Sequence, residues 1–187
     1  MRKLIMWNVI TLDGCFEGEK NWDLDFHQLV WGPELEQLSI EQLKSADMLV
    51  FGDVTYEGMA KYWVAAEGTD EGEVAGLMNN IKKIVCSKKR EKADWKNTTI
   101  VKDAVSEIQK LKNEGDRPMF VFGSSILSQS LMNAGLFDEI RICVAPVIWG
   151  NGRQLFNKET QTQNLKLTQS QQLPNGGMIL KYDVIKN

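Results

Sequence analysis

Short apolar strands alternate with amphipathic helices along the first two thirds of this chain, and the alternation constrains the fold more than any other sequence feature. The pattern predicts strands at residues 3–11, 48–51, 81–86, 98–101 and 118–122 and helices at residues 34–45, 56–62, 71–80, 104–111 and 125–133. A strand, a helix and a second strand in one sheet form a parallel pair with the helix on one face. The chain should therefore contain a mostly parallel sheet.

The last third of the chain has a different pattern. Residues 139–147 are β-branched and apolar, residues 165–172 alternate in the manner of a half-exposed strand, and residues 178–185 read as the return strand. Asn175-Gly176-Gly177 between them is a hairpin turn signal. We expect an α/β fold of three layers, with a mostly parallel central sheet, helices on both faces and a C-terminal antiparallel hairpin.

Length and charge limit the classes of protein that remain. The 187 residues suit one well-filled core, so we expect a single domain over residues 1–187. A net charge of −3 offers no footprint for nucleic acid. Asn8 and Asp13 interrupt the first apolar run, and no segment reaches the roughly 20 apolar residues of a membrane span. We expect a cytoplasmic protein without nucleic-acid, membrane or metal partners.

The strand at residues 118–122 runs through a glycine straight into a helix. The first turn of a helix exposes backbone N–H groups and the positive end of its dipole, and a glycine lets a pyrophosphate approach closely. In open parallel sheets, ligands gather at the carboxyl ends of the strands. A plain tight turn explains the same spacing. The candidate phosphate-binding residues here are Gly123, Ser124, Ser125, Ile126 and Leu127.

A second turn of this kind follows the strand at residues 48–51. Gly52, Asp53 and Thr55 lie between that strand and the next helix, and two such turns can hold different parts of one dinucleotide. The alternative is ordinary helix capping by Thr55. Asp103 is likewise expected to cap the helix that follows it.

A hydroxyl and three cations follow the strand at residues 81–86. Ser87-Lys88-Lys89-Arg90 suits the 2′-phosphate of NADP, although a short basic run is often only a solvated surface. Farther toward the N-terminus, an acidic loop carries Asp23, Asp25 and His27. His27 is a candidate proton donor, with a surface histidine as the simpler interpretation.

Four segments, in order, resemble the dihydrofolate-reductase-like fold family, and most closely the C-terminal reductase domain of the bifunctional riboflavin-biosynthesis deaminase/reductase. Residues 10–14 look like its Ser-Leu-Asp-Gly turn, residues 52–57 like its G-R-x-T-x-E element, and Gly123-Ser124 like its Gly-Gly pair. Residues 136–140, with Pro146, Gly150, Gly152, Leu155 and Phe156, are similar to its L-x-D-E-L and P-x-x-x-G-x-G-x-x-L-F run.

The resemblance implies an NADPH-dependent reductase whose cofactor lies across the carboxyl ends of the central strands. It places the nicotinamide against backbone at Val9 and Ile10, the adenosine phosphate at residues 52–55 with Ser87 and Lys88, and the pyrophosphate at residues 123–127. It also implies that Asp13 and Gly14 shape the loop over the nicotinamide. Trp22 resembles a Trp that follows this turn in the family, and Asp13 and Trp22 are the expected catalytic residues.

Two positions depart from the family pattern. Asp53 stands where the family has Arg, so NADH is possible beside NADPH. Phe122 stands where riboflavin-pathway reductases have Glu, and a phenyl ring accepts no hydrogen bond from a pyrimidine or ribityl group. A more apolar substrate pocket is expected.

Two functional hypotheses follow from these residues and the resemblance. The first is an NADPH-dependent reductase of a pteridine- or pyrimidine-like heterocycle, resembling 5-amino-6-(5-phosphoribosylamino)uracil reductase. The alternative is a catalytically silent nucleotide-binding protein of the same fold, which Phe122 and Asp53 favour. The family also implies a homodimer, for which residues 139–147 are the candidate contact segment.

Overall fold

The computed structural model describes residues 1–69 and 72–186. Its strands are β1 (Leu4–Thr11), β2 (Cys15–Glu17), β3 (Met48–Gly52), β4 (Lys82–Cys86), β5 (Thr98–Val101), β6 (Met119–Phe122), β7 (Glu139–Ala145), β8 (Arg153–Gln154), β9 (Leu165–Gln172) and β10 (Met178–Val184). The helices are α1 (Pro33–Ser45), α2 (Asp53–Ala65), α3 (Gly72–Asn80), α4 (Ala104–Lys112) and α5 (Ser125–Asn133), with a 3₁₀ helix at Asp25–Leu29.

The central sheet has eight strands in the order β5-β4-β3-β6-β1-β7-β10-β9. The pairs from β5 to β7 are all parallel, whereas β10 pairs antiparallel with both β7 and β9. The predicted fold class is therefore confirmed, including its C-terminal hairpin. Strands β2 and β8 form a separate two-stranded sheet that the sequence patterns did not predict.

Helices cover both faces of the sheet because successive strand residues point to opposite sides. Leu4 and Met6 of β1 belong to an apolar cluster with Ile108 of α4 and Leu131 of α5. On the opposite face, Ile5 of the same strand belongs to a second cluster, whose helical members are Leu43 of α1, Tyr56 of α2 and Met78 of α3. Three layers result, as expected.

Two capping predictions had different outcomes. The Asp103 side chain accepts the Ser106 N–H at 3.2 Å, so that cap is confirmed. The cap assigned to Thr55 is wrong, because α2 begins directly after β3 and has Gly52 as its N-cap without a side-chain hydrogen bond. Thr55 lies within the first turn of α2, where its side chain can contact another segment instead of capping the helix.

The first strand of the hairpin, β9, is more exposed than the half-exposed strand that was expected. Every residue of β9 is exposed, since this strand lies at the end of the sheet.

Residues 139–147 were the candidate dimer contact, but β7 pairs with β1 on one side and with β10 on the other. This segment therefore has no free strand edge to offer a second copy.

Most other element bounds agree with the predictions to within two residues. The helix expected over residues 71–80 is described as Gly72–Asn80, and its first predicted residue, Glu71, lies outside the described residues. Across residues 1–69 and 72–186, no helix combines the length and apolarity needed to cross a bilayer.

Candidate functional site

The carboxyl ends of β3, β6 and β1 lie side by side at one edge of the sheet. Trp7 is in register with Phe122, and Val50 is in register with Val121. The helix that follows β3 packs on one face, and the helix that follows β6 packs on the other. Neighbouring strands whose helices leave on opposite faces open a crevice between them, which is where open α/β sheets bind ligands.

The two glycine turns that border this crevice touch each other. A side chain at Gly52 would place its Cβ 2.5 Å from Ser124 Oγ, and one at Gly123 would place its Cβ 3.3 Å from Thr55 Cγ2. Each turn therefore needs its glycine because the other turn occupies the space. The candidate residues of the two turns form one continuous surface.

The turn before α5 has an unusual backbone. Gly123 has φ 70° and Ser124 has φ 59°, so two consecutive residues adopt the left-handed conformation. That conformation costs a non-glycine residue energy, which gives a physical reason for the Gly-Gly pair usual in the related family. Ser124 offsets part of the cost as the N-cap of α5, since its Oγ accepts the Leu127 N–H at 3.4 Å.

Asn8 lies beside this turn and was not among the predicted site residues. Its side chain is only 6% exposed, and its Oδ1 lies 4.0 Å from the position that a Cβ on Gly123 would take. Within the described part of the chain, its Nδ2 has no hydrogen-bond partner. The signal in the sequence was a polar residue inside an otherwise apolar buried strand.

Asp53 forms an ion pair with the loop that follows β4. Arg90 Nε lies 2.5 Å from Asp53 Oδ1, and the guanidinium also lies 4.9 Å from the centre of the Tyr56 ring. Because Asp53 accepts this hydrogen bond and carries a negative charge, the pKa of Arg90 is raised. Arg90 follows β4, yet its guanidinium lies at the start of α2. In the family pattern, an Arg directly after the glycine brings a guanidinium to this helix start.

Ser87 organises the basic loop that carries Arg90. Its side chain is buried, and its Oγ accepts the backbone N–H groups of Arg90 at 3.0 Å and Lys89 at 3.3 Å. Lys102 also reaches this loop, donating to the Arg90 carbonyl at 2.5 Å. Lys88 is exposed on it. The loop adjoins the Gly52 turn because Gly52 is in register with Cys86.

Asp13 joins two loops beyond the end of β1. Its carboxylate accepts hydrogen bonds from Thr11 Oγ1 at 2.6 Å and from the backbone N–H groups of Trp149 at 3.0 Å and Gly150 at 2.8 Å. These donors, Thr11 first, lower the pKa of Asp13 to about 2. Gly14, with φ 86°, closes this turn.

Trp22 reaches across to α2. Its indole ring fills the space that a side chain at Gly58 would occupy. The backbone N–H of Trp22 donates to Glu17 Oε1 at 2.6 Å. This hydrogen bond supports the positive φ of 67° at Trp22. An open pocket of about 580 Å³ lies at this loop, with Trp22, Trp149 and Asn151 among its lining residues.

His27 is partly buried rather than on the open surface. Its ring packs edge-on against Phe26, with 4.9 Å between ring centres, and burial lowers its pKa to about 4. His27 is therefore neutral at pH 7. His27 is not among the residues that line the pocket beside Trp22.

The remaining predicted residues take different positions at this edge. Val9 is buried in the apolar cluster that contains Phe26, and Ile10 packs against the cluster on the α5 face. In the first turn of α5, Leu127 is buried whereas Ile126 is 77% exposed. Over residues 1–69 and 72–186, no group of three or more His, Cys, Asp or Glu side chains is arranged to hold a metal ion.

Comparison with known proteins gives one family. The family model described as the RibD C-terminal domain matches residues 2–179. Among curated proteins, the uncharacterized protein YyaP of Bacillus subtilis (strain 168) is 28% identical over 182 residues, which are 97% of this chain and 94% of YyaP.

Solved structures share the fold at low sequence identity. A Shewanella sp. PV-4 protein named as a candidate riboflavin biosynthesis protein has a TM-score of 0.79 and 18% identity, over 98% of this chain and 99% of that one. Dihydrofolate reductase from Enterococcus faecalis, complexed with NADP(H), has a TM-score of 0.64 and 15% identity, over 98% and 97%. A Thermotoga maritima diaminohydroxyphosphoribosylaminopyrimidine deaminase/5-amino-6-(5-phosphoribosylamino)uracil reductase has a TM-score of 0.67 and 13% identity, over 98% of this chain and 57% of that one.

Proposed function

This chain belongs to the RibD C-terminal domain family, and from that premise we propose that it is a reductase that uses a nicotinamide dinucleotide to reduce a flat pteridine- or pyrimidine-like heterocycle. The first substrate to test is the 5-amino-6-(5-phosphoribosylamino)uracil-type pyrimidine, because the Thermotoga maritima protein of the same fold is named for reductase activity on that class.

One observation carries the proposal: the two glycine turns meet in the crevice between strands whose helices leave on opposite faces. A dinucleotide has two halves joined by a diphosphate, and such a crevice offers one helix start to each side of it. Thr55 lies close to the Gly123 turn and Ser124 lies close to the Gly52 turn, so the two helix starts support each other. This pre-organisation reduces the cost of ordering on binding.

The residues present at this edge fit such a cofactor. In the proposed arrangement, residues 123–127 hold the diphosphate, and residues 52–55 with Ser87 and Lys88 hold the adenosine side. The backbone at Val9 and Ile10 faces the nicotinamide. NADPH is the first cofactor to test, because Arg90 and Lys102 gather positive charge beside α2, and NADH is the second, because Asp53 already neutralises Arg90.

The chain's own part in the reaction is positioning and exclusion of water. The bound dinucleotide supplies the hydride, which is chemistry of the cofactor itself. Trp22 shields the crevice from the α2 side by packing on Gly58, and Asp13 holds the loop at Trp149 and Gly150 against the end of β1. Holding the donor and acceptor carbons together in a dry site is the main source of rate enhancement that these residues can provide.

The proposed substrate region is apolar. Trp7 and Phe122 are in register on neighbouring strands, and both are only partly buried at the site edge. Phe122 also packs against Phe120, with 5.9 Å between ring centres. Aromatic side chains stack on flat heterocycles, so this pair suits the planar pyrimidine or pterin ring of such a substrate.

Titration of the purified protein with NADPH and, in parallel, with NADH tests the proposal, with quenching of tryptophan fluorescence as the binding signal. Absorbance at the nicotinamide band then follows oxidation of the cofactor in the presence of pyrimidine or pterin substrates. We expect micromolar binding and substrate-dependent oxidation. Failure of the protein to bind either dinucleotide would sink the reductase proposal.

A second candidate function is a nucleotide-binding protein without reductase activity. The observations that favour it are Phe122 and Asp53, which depart from the family pattern at the substrate and cofactor positions. The two candidates predict the same binding. They differ in turnover, because the silent protein would bind NADPH without oxidising it, whichever heterocycle is added.

We further propose a homodimer in the cytoplasm, on the basis of family resemblance. Light scattering measures the mass directly, and a monomer mass of 21.2 kDa at micromolar concentration would contradict the dimer.

A further inference from the structure

The structure leaves one buried polar group unexplained at the crevice: the side-chain amide of Asn8. It is 6% exposed, and within residues 1–69 and 72–186 its Nδ2 has no hydrogen-bond partner. Leaving a buried amide donor unpaired costs more stability than replacing the residue by an apolar one of the same shape. Asn8 differs from other buried groups of this kind because it lies at the candidate binding crevice, where a ligand can supply the missing acceptor.

The position of Asn8 on β1 directs it to the turn before α5. Leu4, Met6 and Ile10 contact the apolar cluster that contains Leu127 and Leu131 of α5. Asn8 has the same strand parity, so its side chain lies on the same face. Trp7 is paired with Phe122, and Asn8 is therefore level with Gly123, the residue next to Phe122.

Gly123 lies within reach of this amide. The Asn8 Oδ1 lies 4.0 Å from the place that a Cβ on Gly123 would take, beside the Thr55 side chain, so the amide borders the turn before α5. The terminal torsion of an asparagine is broad, which allows the amide to present its nitrogen as well as its oxygen. Gly123 directly precedes Ser124, the N-cap of α5, so the first backbone N–H groups of that helix belong to the same turn.

We propose that Asn8 is a positioning and affinity residue for the cofactor, whose amide nitrogen donates a hydrogen bond to a diphosphate oxygen held at the Gly123 turn. The inference rests on the proposed function and adds a side chain of β1 to the diphosphate site, which the family resemblance assigns to residues 123–127. A diphosphate oxygen is the matching partner because it is an anionic acceptor, and the helix start attracts anions to this position. Binding then satisfies the amide donor that the free protein leaves unpaired.

The decisive variant is Asn8→Leu, which keeps the side-chain size and removes the donor. Affinity for ADP and for NADPH should fall together by about tenfold to a hundredfold, the usual effect of losing a hydrogen bond to a charged group. The midpoint of thermal unfolding should be unchanged or rise by about 2–4 °C, because the unpaired amide has gone. Asn8→Asp, which places a carboxylate against the diphosphate, should weaken ADP binding further.

Gln42→Leu is the matched control. Gln42 is another buried amide, 2% exposed, whose Nε2 also lacks a partner among the described residues, but it lies on α1 and its Oε1 accepts from Arg141 at 3.0 Å. This variant should bind ADP and NADPH as the wild-type protein does.

Four results would overturn the inference. Wild-type affinity in Asn8→Leu would remove any role for the amide, and loss of NADPH affinity without loss of ADP affinity would move its contact to the nicotinamide half. Equal losses of affinity in Asn8→Leu and Gln42→Leu would show that removal of any buried amide weakens binding. A loss of both stability and affinity in Asn8→Leu alone would show that Asn8 acts by supporting the fold. Wild-type protein that binds neither ADP nor NADPH would instead reject the proposed function, and the inference with it.

Discussion

The amino and carboxyl edges of the central sheet are built in opposite ways. At the amino ends, Lys112 forms an ion pair with Asp138, which also accepts the Leu4 N–H at 2.9 Å, and Arg2 lies 2.8 Å from Asp47. At the carboxyl ends, Asn8 Nδ2 has no hydrogen-bond partner among the described residues, and Ser124 has a positive φ of 59°. The contrast indicates that one edge stabilises the fold while the other gives up stability for binding, a division common in enzymes.

The largest expected effect lies at the amino edge. Asp138→Ala leaves the buried Lys112 ammonium without its counter-ion and should lower the free energy of unfolding by about 3–5 kcal/mol. Urea denaturation measures the change. Lys186→Gln removes the exposed partner of the same carboxylate and should cost less than about 1 kcal/mol. Neither variant should lose affinity for NADPH. A large loss of affinity in Asp138→Ala would show that the amino edge also contributes to binding.

The amino edge also predicts a pH dependence through Lys83, which is 1% exposed and donates to three backbone carbonyls. Burial, with a smaller contribution from Lys96, lowers its pKa to about 8. Between this pKa and the usual 10.5, the unfolded chain holds a proton that the folded protein has lost. Unfolding free energy should therefore rise with pH, from this residue by about 2 kcal/mol between roughly pH 7.5 and 9.5.

Urea titrations at those two pH values, on wild-type protein and Lys83→Met, isolate this contribution from that of other lysines. The rise should shrink by the stated amount in the variant. An identical rise in both proteins would show that Lys83 does not lose its proton in this range.

Two glycines with similar φ angles, one before α5 at the carboxyl edge and one after it, separate backbone strain from function. Gly123 has φ 70° and Gly135 has φ 66°, but a Cβ would meet Thr55 and Asn8 at the first and nothing within 4 Å at the second. Gly135→Ala should cost about 1–2 kcal/mol of stability, and Gly123→Ala at least as much, because its methyl group would also press on Thr55. Gly123→Ala alone should weaken NADPH binding, by about tenfold or more, because this contact would displace the two turns that are proposed to hold the dinucleotide. Equal affinities by fluorescence titration would contradict the site.

The smallest expected effect concerns cofactor preference. Asp53→Asn removes the charge that neutralises Arg90, and the ratio of NADPH to NADH affinity should rise by about fivefold, the effect of less than about 1 kcal/mol at a partly exposed pair. Glu57→Gln is the control, since Glu57 is more exposed and lies 3.7 Å from the same guanidinium. A ratio unchanged by Asp53→Asn would place the 2′-phosphate away from Arg90.

Local signals predicted most of the fold. The strand and helix periods, the Asp103 cap and the Asn175-Gly176-Gly177 turn act over a few residues, and the corresponding elements formed. Strands β2 and β8 escaped prediction because each is very short, three and two residues, and exists only through pairing across the chain. Thr55 was misread as a cap because its sequence context resembles one.

Within the site, the sequence was informative about turns and silent about their neighbours. Gly52 and Gly123 were recognisable by position after apolar strands. Glu17 and Gly58 were not, because their importance lies in contacts with Trp22 that no spacing rule predicts. Asn8 was visible only as a polar residue in an apolar strand.

By itself, the sequence determined the alternation of strands and helices, the hairpin and the glycine turns, since backbone preferences and burial periodicity act over short stretches. Tertiary structure decided which residues share the site. Asp53 meets Arg90 across 37 residues of chain, and Asp13 meets Trp149 across 136. Such contacts depend on the order in which strands pair, and strand order is set by packing of the whole sheet rather than by any local pattern.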